Sequence, residues 1–165
     1  MARRKGLVIN DDQMQMIDGV LAKLQRVAGS NFVALVSTSG QPITTAPPDV
    51  DADTLSLAAL AAGSFAATRQ LAEVLNEREF TLLFHEGRDT NLHVMQVTDQ
   101  ILLLITFGHE TQVGRVRLYT SRALEVLKPI FEDAEDSTEG ESFVDKEYSG
   151  EAGSAIDDWL PKENA

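Results

Sequence analysis

Residues 55–75 read LSLAALAAGSFAATRQLAEVL, and the reading of this stretch decides the fold. Alanine and leucine at this density specify a helix, with Asp51 or Asp53 as the N-cap before it and Asn76 as the stop after it. A surface helix normally buries one apolar stripe and shows charge on the other side. Here no charged residue occurs between Asp53 and Arg69. At about 100° per residue, Leu57, Leu60, Ala67, Leu71, Val74 and Leu75 gather on one half and are expected to face a sheet. Leu55, Ala58, Ala59, Ala62, Phe65, Ala66, Arg69, Gln70 and Glu73 fall on the other half. That second half begins small and apolar, with one large ring at Phe65, so it is expected to meet another protein surface. The competing reading is that alanine is simply a good helix former and needs no partner. Leu55 and Phe65 speak against it, because they are poor residues for a solvated face.

The flanking sequence supplies what such a helix packs on. Asp11 or Asp12 caps an earlier helix in which Met14, Ile17, Leu21, Leu24 and Ala28 recur at helical spacing, and Gly29 ends it. Residues 31–37 (NFVALVS) read as a strand, Ser39-Gly40 as a turn, and residues 41–45 as a shorter returning strand. Pro42 has no N–H to give a ladder, which predicts an edge. Residues 80–86 and 90–97 read as two strands around Gly87-Arg88-Asp89. Residues 100–107, containing ILLLITF, form the most hydrophobic strand and are predicted to be central. A last helix starts near Thr111, with Val113, Val116, Tyr119 or Thr120, Leu124, Leu127 and Phe131 inward and a kink or frayed end at Pro129. The fold class is α+β in the order α-β-β-α-β-β-β-α: one five-stranded antiparallel, meander-type sheet with helices on its faces.

At 165 residues and 43% hydrophobic content the chain is expected to hold one domain with a sizeable core. Its net charge of −12 is unevenly spread: from Glu132 onward there are 12 acidic residues and 2 lysines, net −10, which leaves −2 for residues 1–131. The division that follows is an N-terminal extension (1–10), a domain (11–131), an acidic linker of disordered composition (132–153) and a short C-terminal helix (154–165). In that last segment Ile156, Trp159 and Leu160 fall at i, i+3 and i+4, on one face of a helix that Ser154 caps. The chain shows no basic stripe of the kind nucleic-acid binding requires. The basic and apolar residues Arg3 to Ile9 open like a leader, but the apolar run stops at Asn10, and no stretch approaches the ~20 apolar residues of a bilayer span. The lack of cysteine suits the cytosol.

A catalytic constellation is not legible. The chain contains no phosphate-binding G-x-x-x-x-G-K-[ST] loop, no G-x-S-x-G and no H-E-x-x-H. His85 and His93 flank one hairpin and could approach across it, yet two imidazoles without a third ligand make a poor metal site. The expectation is therefore no catalytic residue, no cofactor and no metal, and a role as a regulator or binding module.

Taken together, the element order, LAALAAGSFAATRQLAEVL (57–75), FHEG (84–87) and TQVGRVRLYTSRALEVL (111–127) resemble the roadblock/LC7 family, and within it the MglB-type bacterial regulators. The resemblance covers about residues 10–131 and, more weakly, the C-terminal IDDWL. It implies a homodimer in which the sheets join edge to edge and the two central helices lie side by side. On that platform a Ras-like GTPase of the MglA type docks, one per dimer and in its GTP form, and its hydrolysis is stimulated by repositioning its own arginine and glutamine. Carried onto this chain, the platform is Ala58, Ala59, Ala62, Phe65, Ala66, Arg69 and Gln70. Arg69 departs from the small residues expected there and raises the alternative of an arginine supplied in trans. The resemblance also implies that Ile156, Trp159 and Leu160 bind the GTPase elsewhere and favour nucleotide exchange. A cytoplasmic regulator of polarity or motility, recruited to a cell pole, would follow. Two other readings keep the same residues: a roadblock scaffold or light chain that leaves hydrolysis unchanged, and a small-ligand sensor, which needs a concave pocket.

Overall fold

The computed structural model describes residues 7–136. The Arg3-Arg4-Lys5 stretch and the segment bearing Ile156, Trp159 and Leu160 lie outside the described residues. Three helices and five strands follow in the expected order: α1 (Asp11–Ala28), β1 (Phe32–Ser37), β2 (Pro42–Ala46), α2 (Ala52–Val74), β3 (Leu82–His85), β4 (Thr90–Thr98), β5 (Ile101–Gly108) and α3 (Val113–Asp136). The sheet is antiparallel with spatial order β2-β1-β5-β4-β3, so β5 is central as its ILLLITF sequence predicts. It is not a simple meander. A β1–β2 hairpin and a β3–β4–β5 meander are joined where β1 pairs with β5, and α2 carries the chain from one edge to the other.

Local chemistry fixes the helix ends. The N-cap of α1 is Asn10, not Asp11 or Asp12: its Oδ1 accepts from Gln13 N at 2.8 Å, and Gln13 Oε1 accepts from Asn10 N at 3.0 Å. This reciprocal capping box satisfies two orphan donors at once, which a single Asp cap would not. At the other end Gly29 takes φ 69°, and Gly29 N and Ser30 N reach back to Arg26 O and Gln25 O. Two carbonyls in that last stretch accept from the third helical region, Gly29 O from Thr111 Oγ1 and Val27 O from Arg115 Nε, both at 2.7 Å. Asp51 caps α2, accepting from both Thr54 N and Thr54 Oγ1 at 2.8 Å. The backbone bond from Thr54, then the hydroxyl bond, hold the Asp51 carboxyl below its usual pKa. Asn76 closes α2 with φ 59°, as its position suggested.

The two sheet faces are filled very differently. On one, α1 and α3 lie side by side over β1 and β5, with Ile17, Leu21, Leu24, Leu35, Leu103, Phe107, Leu127 and Phe131 fully buried. Pro129 does not end α3, which runs on to Asp136. Proline in a helix interior costs about 3 kcal/mol, but Ile130, Phe131 and Ala134 beyond it are buried, and Gln13 Nε2 donates to Asp133 Oδ2 at 3.1 Å. Residues 132–136, expected in the linker, are therefore the final turn of this helix. On the opposite face, α2 alone covers Ala34, Val36, Val94, Leu102 and Leu104.

Candidate functional site

The helix of residues 55–75 turns a different side to the sheet from the one the wheel reading expects. Ala58, Ala61, Ala62 and Phe65 are buried to within 3% of complete burial against the sheet. Leu60, Leu71, Val74 and Leu75, expected beneath the helix, are 57–77% exposed, and Leu55 is 51% exposed. Of the expected inward residues only Leu57 packs toward the sheet, half-buried. The reason lies outside the helix: the sheet face below already carries Val36, Val94, Leu102 and Leu104, and alanines let the helix axis approach them. A row of leucines in that gap would hold the helix off. Phe65 is the one large side chain among these buried residues, its ring 4.9 Å from that of Phe80.

The candidate platform is thus divided. Ala59, Ala66, Arg69 and Gln70 face outward as expected, whereas Ala58, Ala62 and Phe65 belong to the core. Outward, two stripes run side by side along a helix of about 35 Å. One is small at Ala59, Gly63 and Ala66 and ends in Gln70; the other is large at Leu60, Leu71 and Val74, with Ala67 between them. Nothing lies within 4 Å of a Cβ built on Gly63. At the inner margin contact is tight: a Cβ on Gly40, which has φ 89°, would stand 2.9 Å from Ala59 Cα. The β1–β2 turn therefore presses on the α2 backbone, and only glycine fits there. Sequence reasoning missed Gly63, Leu60 and Leu71 as surface residues. A glycine in a helix interior, about 1 kcal/mol worse than alanine, was the signal available.

Beside the outer face runs β3, whose residues Leu82–His85 are half-buried or exposed. It is short and lies at the end of the sheet, and it carries no proline, lysine or acidic residue to blunt its edge. The other edge, β2, has Pro42 within it and Thr44 Oγ1 bonded to Asp18 Oδ1 at 2.6 Å. Arg69 turns toward an open cleft of about 240 Å³, shared with Glu73, Arg78, Glu79, Phe80 and Asp99. This cleft is polar and shallow, unlike the enclosed apolar cavity a small-ligand sensor needs.

The two hairpin histidines do not meet. His85 stands opposite Leu92 and His93 opposite Phe84, so their side chains point to opposite sheet faces. His85 is exposed. His93 is fully buried, its ring 6.4 Å from that of Phe84, with no hydrogen-bond partner for either ring nitrogen. Burial first, and the Arg117 charge second, push its pKa down to about 4. Neutral His93 is a core residue. Among the described residues no group of three or more His, Asp or Glu side chains could hold a metal ion, and no helix is long and apolar enough to cross a membrane.

A family model, Roadblock/LC7 domain, matches residues 16–107, which spans the sheet and the helix just described. The chain belongs to the Roadblock/LC7 family. Among solved structures it is similar to Myxococcus xanthus MglB, at 36% identity and a TM-score of 0.70, covering 78% of this chain and 96% of that one. The gliding protein MglB of Thermus thermophilus matches at 28% identity and a TM-score of 0.71, over 79% and 99% of the two chains. A structure described as MglB with tetrameric arrangement matches at 26% and 0.69, over 81% and 99%. The comparison with curated protein sequences returns no match. These roadblock relatives make the chain an MglB-like roadblock protein in fold.

Proposed function

We propose that this roadblock protein is a homodimeric activator of GTP hydrolysis by an MglA-like Ras-family GTPase. The observation that carries the reading is the outer face of α2, where Leu60, Leu71, Val74 and Leu75 are mostly exposed beside a stripe of Ala59, Gly63 and Ala66. Monomeric proteins rarely leave such a face open. In the proposed assembly β3 pairs with its copy at the sheet edge, which brings the two α2 helices together. The GTPase, in its GTP-bound form, docks across the paired helices.

Hydrolysis by a Ras-like enzyme needs an arginine at the γ-phosphate and a group that orients the attacking water. The α2 face carries Ala59, Ala66 and Gln70 at its centre, which supply shape rather than charge, so the activator acts by positioning groups of the GTPase. Arg69 lies to one side, on the polar cleft. Arg69→Ala is therefore expected to lower stimulation only a few-fold; a drop of about a thousand-fold would assign it as an arginine supplied in trans. The C-terminal segment with Ile156, Trp159 and Leu160 adds a second contact to the GTPase, in the manner of a helix in a groove, and favours exchange.

Single-turnover GTP hydrolysis by an MglA-like GTPase, with and without this protein, tests the proposal. Acceleration that saturates near two chains per GTPase is expected. Nucleotide-dependent binding at an unchanged rate would make the protein a scaffold on the same platform.

A further inference from the structure

The outer face of α3 differs from the rest of this acidic chain. From Thr111 to Leu124 it carries Arg115, Arg117 and Arg122 and no acidic residue. All three arginines are exposed, and between them Leu118 is 49% exposed. Arg115, Leu118 and Arg122 lie at i, i+3 and i+7, on one stripe. The guanidiniums are oriented rather than loose: Arg115 Nε donates to Val27 O, Arg117 stands 5.9 Å from the Phe84 ring centre, and Arg122 6.0 Å from that of Tyr119. A leucine framed by held arginines suits an apolar side chain accompanied by carboxylates.

We infer that this face is the docking site of the chain's own C-terminal segment, with Trp159 and Leu160 on Leu118 and Asp157 and Asp158 toward Arg115, Arg117 and Arg122. Three observations favour that occupant. The first is charge: residues 137–165 hold 8 acidic residues and 2 lysines, the complement of the arginine stripe. The second is chemistry, because IDDWL places the aspartates next to the only tryptophan of the chain, and an indole stacks well on a guanidinium. The third is reach. Leu118 lies 18 residues before Asp136, about 27 Å back along the helix, and Ser154 lies 18 residues after it. A coil of that length has a root-mean-square span of about 23 Å, so the tether nearly matches the distance it must cover. Tethering at that match gives an effective concentration on the order of millimolar, and a contact too weak to hold two separate molecules is then substantially populated. Docked in this way, the segment is kept from other partners until one of them competes for it.

The single tryptophan makes the test direct, and it needs no GTPase, so it stands or falls separately from the proposed function. In the 165-residue chain alone, Trp159 is expected to emit as a shielded indole, to resist acrylamide quenching, and to lose that protection as salt is raised. Leu118→Glu combined with Arg122→Glu, both at exposed positions, is expected to shift the emission to that of a solvated indole while the circular dichroism of the domain is unchanged. Asp157→Lys with Asp158→Lys is expected to do the same, and to regain shielding when Arg117→Glu and Arg122→Glu are added. A solvated Trp159 in the wild-type protein, or shielding that survives the α3 substitutions, would overturn the inference. Shielding that vanishes on dilution would also overturn it, by showing that the segment docks on a second molecule.

Discussion

The two faces of the sheet are covered by layers of different thickness, and the difference shows which one is finished. Over one face, α1 and α3 bury leucine, isoleucine and phenylalanine completely. Over the other, α2 contributes three alanines and one phenylalanine to the core and turns its leucines outward. A thick, closed layer stabilises the domain by itself. A thin layer with large apolar residues on its outer side leaves apolar area exposed to water, and a partner surface gains by covering it, at roughly 25 cal/mol per Å².

The sharpest contrast is between two leucines. Leu103→Ala, in the closed layer, is expected to cost about 2–5 kcal/mol of unfolding free energy, read from a urea titration. Leu60→Ala, 70% exposed, is expected to change monomer stability by less than about 0.5 kcal/mol and to weaken self-association in sedimentation. Equal effects on unfolding would break the distinction between the layers.

His93 probes the closed side by pH. Its pKa is near 4 in the folded chain against 6.5 for the ordinary imidazole, so below pH 6.5 the unfolded state takes up the proton first. The stability that neutral His93 supports is complete above pH 6.5 and is lost as pH falls toward 4, by at most about 3.5 kcal/mol at about 1.36 kcal/mol per unit. His93→Leu is expected to flatten the stability curve over that window. An unchanged slope would place the acid sensitivity in the carboxylates.

The smallest effect belongs to the open side. Gly63→Ala adds a methyl group with nothing within 4 Å and is expected to stabilise the monomer by about 0.5–1 kcal/mol. The same methyl is expected to weaken the proposed dimer, in which two α2 backbones approach there. A variant more stable in both respects would remove the reason for that glycine.

The element order, the Asp51 cap and the stops of α1 and α2 were legible in the sequence, because turn residues, Gly29 and Asn76 act locally; the Asn10 cap and the end of α3 at Asp136 were not, because they depend on Gln13 and its contact with Asp133. The inward stripes of α1 and α3 were legible too, since each has a single apolar side. The orientation of α2 was not. It is apolar all round, and the choice of side depends on the bulk of Val36, Leu102 and Leu104, residues that only the folded sheet places beneath it. For the same reason Ala59, Ala66, Arg69 and Gln70 were placed on the correct side, while Ala58, Ala62 and Phe65 were not. The approach of His85 and His93 that the hairpin left open fails on parity, since one residue of offset in a strand sends a side chain to the other face.

The central claim is that the open face of α2 receives the GTPase, and Ala66→Arg tests it most directly. Ala66 is exposed in the isolated chain, so the arginine leaves the fold intact, which a thermal melt verifies. Within a closed interface an unpaired buried charge costs about 3–5 kcal/mol. Single-turnover hydrolysis by an MglA-like GTPase is therefore expected to fall to its unstimulated rate with this variant. Full stimulation by Ala66→Arg would contradict the account.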